Sequence, residues 1–184
     1  DERLHVVRVA DGAGVRTVRV DSFVAAPASL AAGPDAPDSP AAGSAFLPLR
    51  AGRLLRVDLD AGRIAWAYDA QAALLVAAGV SDDRVVIGDD AGRVHAVARS
   101  DGEGLWTFDA ARSIKAAPVL CDGKVVVGDV TGRLHVVRLS DGAPLWAGQL
   151  GGPVTAAPAV AGGRVYVGAA DGAVYAFGPA GPSP

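Results

Sequence analysis

The chain has 184 residues, 51% of them hydrophobic, and a formal net charge of -3, which is enough for one globular domain with a core of its own. That near-neutral balance argues against a nucleic-acid surface, which needs a basic excess to meet phosphates, and the charges are scattered with no acidic or basic tail. No apolar run approaches the roughly 20 residues of a membrane-spanning helix, and the first residues do not form a signal peptide.

The 24 Gly and 12 Pro, with abundant Val, suit many short strands joined by tight turns. No segment carries a sustained apolar stripe of helical period, so essentially no helix is expected. The first strand and turn are RLHVVRVADG at 3–12, which matches RLHVVRLSDG at 133–142. GVRTVRV at 14–20 follows as a second strand, with Arg16 where the later copies have tryptophan. Pro48 stands where they have glycine, and GPDAPDSPAAG at 33–43 inserts about ten residues, read as a flexible Pro-rich surface loop. Residues 1–50 are therefore a degenerate first repeat.

From residue 51 the repeat is regular, with units at 51–90, 91–130 and 131–170 and a partial unit, DGAVYAF, at 171–177. Trp66, Trp106 and Trp146 are spaced by 40, as are Gly88, Gly128 and Gly168, and Gly52, Gly92, Gly132 and Gly172. Around 114–149 four strands are expected, IKAAPVL, KVVVGD, RLHVVRL and PLWAGQL, divided by Asp122-Gly123, Thr131-Gly132 and Asp141-Gly142. Such pairs supply the positive-φ residues of tight hairpins. Four antiparallel strands in about 40 residues, repeated in tandem, make an all-β fold, a β-propeller of stacked four-stranded blades. A lone blade leaves both faces bare, and the next blade covers one of them. The propeller repeats are assigned to 51–177 and a C-terminal tail to 178–184.

GKVVVGDVTGRLHVVRLSDGAPLW and GRVYVGAADGAVYAF resemble the repeat of the pyrroloquinoline-quinone (PQQ)-like propellers, over nearly all of 51–177 and more weakly over 1–50. That family includes quinoprotein alcohol dehydrogenases, an outer-membrane β-barrel assembly lipoprotein, and propellers attached to bacterial serine/threonine protein kinases. The Ala-, Arg-, Gly- and Asp-rich composition is similar to that of actinobacterial proteins, where the kinase-linked form is common. The resemblance implies rings of seven or eight blades, with the Trp strand outermost. On that map the chain holds three full blades and, at 154–177, the inner three strands of another. With no Met in the chain, Asp1 is not a translational start, and the expectation is the C-terminal half of a larger propeller. Its remaining blades would come from the same polypeptide or from oligomerisation. The alternative is a ring of four blades closed by GVRTVRV.

The candidate site residues are weighed slot by slot. The resemblance gives Trp66, Trp106 and Trp146 a blade-docking role rather than a cofactor-stacking one, since all three share one outer-strand slot. Gly88, Gly128 and Gly168 are assigned with them. His5, His95 and His135 share a slot with Leu55 and Tyr175, which asks for bulk between blades rather than a metal ligand. Arg53, Arg93 and Arg133 form a ring of strand-start cations, either solvated edge charge or a cationic rim for an acidic partner. DLDAG at 58–62 and GDDAG at 88–92 lack the spaced carboxylates of a calcium loop. Cys121 is the only cysteine, so no intramolecular disulfide forms, and it reads as a small filler.

Glu2 and Glu103 are the only glutamates, and no nucleophile elbow, zinc-protease, P-loop or CxxC motif is present. The preferred function is a non-catalytic scaffold for protein interaction or ligand sensing, one arm of a larger protein such as a kinase. It would bind a protein or small ligand on the loop face, near Ala116 to Pro118 and Ala156 to Pro158. The alternatives are a quinoprotein oxidoreductase fragment holding PQQ with calcium, and a periplasmic outer-membrane-assembly scaffold. Both a cytoplasmic and an extracytoplasmic setting fit.

Overall fold

The computed structural model describes residues 2–32 and 43–178. The expected Pro-rich loop at 33–43, apart from Gly43, and the tail beyond Gly178 lie outside the described residues.

The described residues carry strands and turns and no helix. The chain opens with a two-stranded hairpin, β1 (Arg3–Val7) and β2 (Gly14–Arg19). Next comes a four-stranded sheet of β3 (Ser29–Ala32), β4 (Gly43–Pro48), β5 (Arg53–Asp58) and β6 (Arg63–Asp69). The second sheet is β7 (Gly79–Val80), β8 (Arg84–Gly88), β9 (Arg93–Ala98) and β10 (Gly104–Asp109). The third is β11 (Val119–Cys121), β12 (Lys124–Gly128), β13 (Arg133–Arg138) and β14 (Pro144–Gln149). The last has three strands, β15 (Ala159–Ala161), β16 (Arg164–Gly168) and β17 (Val174–Phe177). Every neighbouring pair is antiparallel in sequential order. The sheets cross the repeat boundary read from the sequence, since β3 and β4, before residue 51, pair with β5 and β6 after it.

The first strands of successive sheets touch in turn, β3 with β7, β7 with β11, and β11 with β15. The sheets thus radiate from a shared inner line, which is the propeller architecture. Four apolar clusters fill the four junctions. The central strands serve two junctions by alternation. In β8, Val85 and Ile87 face the first sheet and Val86 faces the third. In β12, Val125 and Val127 face the second sheet and Val126 the last. That explains why RVVIG and KVVVG are apolar throughout.

The outer hairpins share one turn chemistry. Asp11, Asp101 and Asp141 each accept the amide two residues on, at 3.0 Å, and the glycine that follows each aspartate is in the left-handed region, as Gly142 is at φ 73°. At the crossings between sheets, Asp69 and Asp109 accept the amides of Gln71 and Ala111 at 2.8 and 2.7 Å. Both receiving residues are left-handed, with φ of 63° and 64°.

One strand is shorter than the sequence suggests. IKAAPVL is expected as a strand, yet β11 covers only Val119–Cys121. Ile114 donates its amide to Asp89 O, at 3.1 Å, in the preceding sheet, and Pro118 has no amide to give. The segment therefore stitches two sheets together instead of extending one. Val154 repeats this with Asp129 O at 3.0 Å.

Candidate functional site

The buried polar side chains of the described residues gather where one sheet meets the next. Between the first and second sheets, His95 of β9 sets Nε2 3.0 Å from Asp89 Oδ2 and Nδ1 3.1 Å from the Tyr68 hydroxyl. One tautomer satisfies both: Nε2–H donates to the carboxylate, and Nδ1 accepts the tyrosine proton. Asp89 also accepts the Arg93 amide at 2.8 Å and its guanidinium at 3.0 Å. Burial pushes the Asp89 carboxyl up, but the Arg93 amide, His95 and the Arg93 guanidinium outweigh it and hold it below the usual range. Burial pulls His95 below its usual value despite the neighbouring carboxylate. The pair is an anion and a neutral imidazole. Burial also raises the Tyr68 phenol, which shares a further hydrogen bond with Thr107.

The same arrangement recurs between the second and third sheets with its hydroxyls removed. His135 Nε2 lies 3.2 Å from Asp129 Oδ2. Phe108 stands in the place of Tyr68 at nearly the same geometry, with ring centroids 5.4 Å apart and planes at 65°, against 5.7 Å and 64° before. Ala147 replaces Thr107 and Ala111 replaces Gln71 at the same repeat positions. A groove of about 440 Å³ opens here, lined by Phe108, Asp109, Ala111, Arg133, His135 and Ala147 among others.

The third junction changes again. Gly148 takes the Tyr68 position, and Tyr175 takes the histidine position, donating its hydroxyl to Asp171 while accepting the Gly151 amide at 3.1 Å. At the first full sheet both partners are apolar, because fully buried Leu49 and Leu55 occupy the aspartate and histidine positions.

The tryptophans lie on the outer strands. Trp66 donates Nε1–H to Arg99 O at 3.1 Å, and its indole packs on Gly102, where a Cβ would sit 2.8 Å from the ring. Trp106 does the same to Leu139 O at 2.9 Å, over Gly142. Trp146 rests 5.1 Å from the Phe177 ring and is 44% exposed, against 8% for Trp66. Gly88 and Gly128 lie under Ile114 and Val154, which a Cβ would approach to 2.3 and 2.4 Å, whereas nothing lies within 4 Å of one at Gly168.

The three arginines have different surroundings. Arg53 pairs with Asp21 beyond β2. Arg93 bridges Asp89 and Ala70 O. Arg133 lines the groove with an exposed side chain. Cys121 is half-buried, and burial, then Asp122, pushes its thiol up. On the inner ends, Ala116 is buried and Ala156 is exposed.

Sequence reasoning found the histidine slot but not its partners. The signal was the aspartate six residues before His95 and His135, at 89 and 129, absent from the first full sheet together with the histidine. Among the described residues no group of three or more His, Cys, Asp or Glu could hold a metal.

The family model described as "Outer membrane protein assembly factor BamB" matches the chain at residues 50–134 and 90–180. No curated protein matches it. Among solved structures, BamB from Moraxella catarrhalis is similar at TM-score 0.77 and 18% identity, covering 91% of this chain and 53% of that one. The computationally designed Ika4 protein is similar at TM-score 0.71 and 23% identity, covering 85% of this chain and 91% of that one. The designed Ika8 protein gives 0.76 and 22%, with coverage of 91% and 49%. The chain therefore spans about half the length of the Moraxella protein and of Ika8.

Proposed function

Because the chain belongs to the family of PQQ-like propeller repeats described by outer membrane protein assembly factor BamB, we propose that it is a non-catalytic scaffold. It binds a protein or a small ligand on the loop face near Ala116 to Pro118 and Ala156 to Pro158, within a larger protein such as a serine/threonine kinase. The observation that carries this reading is the use made of its buried ionisable groups. Asp89 and His95, and Asp129 and His135, pair within successive sheets, and each histidine meets the preceding sheet through Tyr68 or Phe108, so the four do not converge on one reacting centre. One face of each of the Trp66 and Trp106 indoles lies against the next sheet, on Gly102 and Gly142, which closes that face to a quinone.

The test is titration of the protein with PQQ and calcium, followed by calorimetry and quinone absorbance, with a dye-linked alcohol oxidation assay. No binding and no oxidation is the expected result. Stoichiometric binding with turnover would overturn the reading in favour of a quinoprotein oxidoreductase.

A second reading, a scaffold in outer-membrane protein assembly, is favoured by the family description and by the likeness to the Moraxella protein. A lipoprotein signal upstream in the gene selects it, and a kinase domain upstream selects the first. In a ring of seven or eight blades the remaining blades would come from the same polypeptide or from further copies, whereas a ring of four needs neither, and the solution mass distinguishes these.

A further inference from the structure

We infer that the groove between the second and third four-stranded sheets is a binding site for a small hydroxylated carboxylate, whose hydroxyl donates to His135 Nδ1 and whose carboxylate meets Arg133.

The two histidine junctions act as a matched pair. At the first, both imidazole nitrogens of His95 are engaged, one by Asp89 and one by the Tyr68 hydroxyl. At the second, Asp129 engages His135 Nε2, which leaves Nδ1 as the acceptor, and nothing among the described residues donates to it. The His135 side chain is only 8% exposed. Nδ1 is not itself sealed off, so a donor placed in the groove can reach it. Phe108 holds its ring where Tyr68 holds its own but carries no hydroxyl. The neighbours that could have closed the space are truncated with it: Thr107 becomes Ala147, and Gln71 becomes Ala111. The result is the groove of about 440 Å³ with His135, Phe108, Ala111 and Ala147 in its lining.

Arg133 supplies the second contact. It lies two residues before His135 on β13, on the same face of the strand, about 7 Å away along it. Both line the groove. Arg93, its counterpart, is held by Asp89 and Ala70 O. The Arg133 guanidinium has no such bond among the described residues. A ligand with a donor hydroxyl at one end and a carboxylate at the other can address both groups, and 4-hydroxybenzoate is the smallest rigid probe of that kind. The site is built from strand residues rather than from the loop face, so it stands or falls separately from the scaffold reading.

The probe is 4-hydroxybenzoate, titrated into the protein while the imidazole nitrogens are followed by NMR. Saturable movement of the His135 Nδ1 resonance is expected, with His95 unmoved. Benzoate, lacking the hydroxyl, and phenol, lacking the carboxylate, should each bind at least tenfold more weakly. Phe108→Tyr restores the Tyr68 arrangement and should abolish binding, as should Ala147→Thr by refilling the space. Arg133→Gln should weaken it at least tenfold. A His135 resonance unmoved at millimolar probe, benzoate binding as well as 4-hydroxybenzoate, or undiminished binding by Phe108→Tyr would each overturn the site. In the first case a water fills the hydroxyl's place.

Discussion

Asp89 and His95 should be energetically coupled, and the chain carries its own reference for the pair. The first full sheet places Leu49 and Leu55 at the same two positions, both fully buried. His95→Leu removes a buried hydrogen bond to an ionised carboxylate, about 1.5–3 kcal/mol, and one to a phenol, about 1 kcal/mol, partly offset by leucine burial. A net loss of about 2–3 kcal/mol is expected. Asp89→Leu leaves His95 Nε2–H, the Arg93 guanidinium and the Arg93 amide without their acceptor, a loss of about 3–5 kcal/mol. The double variant no longer strands an imidazole beside an absent carboxylate. It should cost about 2–3 kcal/mol less than the two single losses combined. Urea denaturation at pH 7.5, followed by tryptophan fluorescence and far-UV circular dichroism, measures all three. Additivity within about 0.5 kcal/mol would refute the reasoning, because independent sites would then not be exchanging a proton-bearing contact.

Stability should fall on acidification in two windows. His95 has a folded value below that of the unfolded chain, so its contribution is complete above about pH 6.5 and declines as the unfolded state takes up the proton. Asp89 and Asp129, also held low, contribute above about pH 3.9 and lose it as the pH falls through their folded values. Urea midpoints between pH 8 and 3 follow both, and His95→Leu should remove its share of the upper slope. Gly128→Ala, which drives a Cβ to 2.4 Å from Val154, should cost about 1–3 kcal/mol. Gly168→Ala, with open space around it, should stay within about 0.5 kcal/mol, and thermal unfolding compares them. Trp66→Ala should lose about 3–5 kcal/mol, and Trp146→Ala less than half of that, since the latter indole is 44% exposed.

Much of the architecture was legible in the 40-residue spacing of tryptophans and glycines. A repeat that cannot bury its own faces must stack, so the period together with four short strands per unit implies the propeller class. The Asp-Gly turns were legible for the same reason: they are local, and the aspartate finds its amide two residues away. IKAAPVL was misread because the Ile114 amide bonds to the preceding sheet, a choice made by tertiary contact.

The groove was illegible for a related reason. Tyr68 and Phe108 are one period apart, and so are Thr107 and Ala147. In the linear sequence these are separate, conservative differences. Only stacking brings the four, with His95 and His135, into two comparable junctions. The sequence by itself determined the repeat, the strand class and the turns, because these depend on contacts within a few residues or on a strict period. The tertiary structure alone decided which imidazole nitrogen is engaged and which is not, because hydrogen bonding across a junction depends on residues about 30 positions apart meeting at angstrom distances.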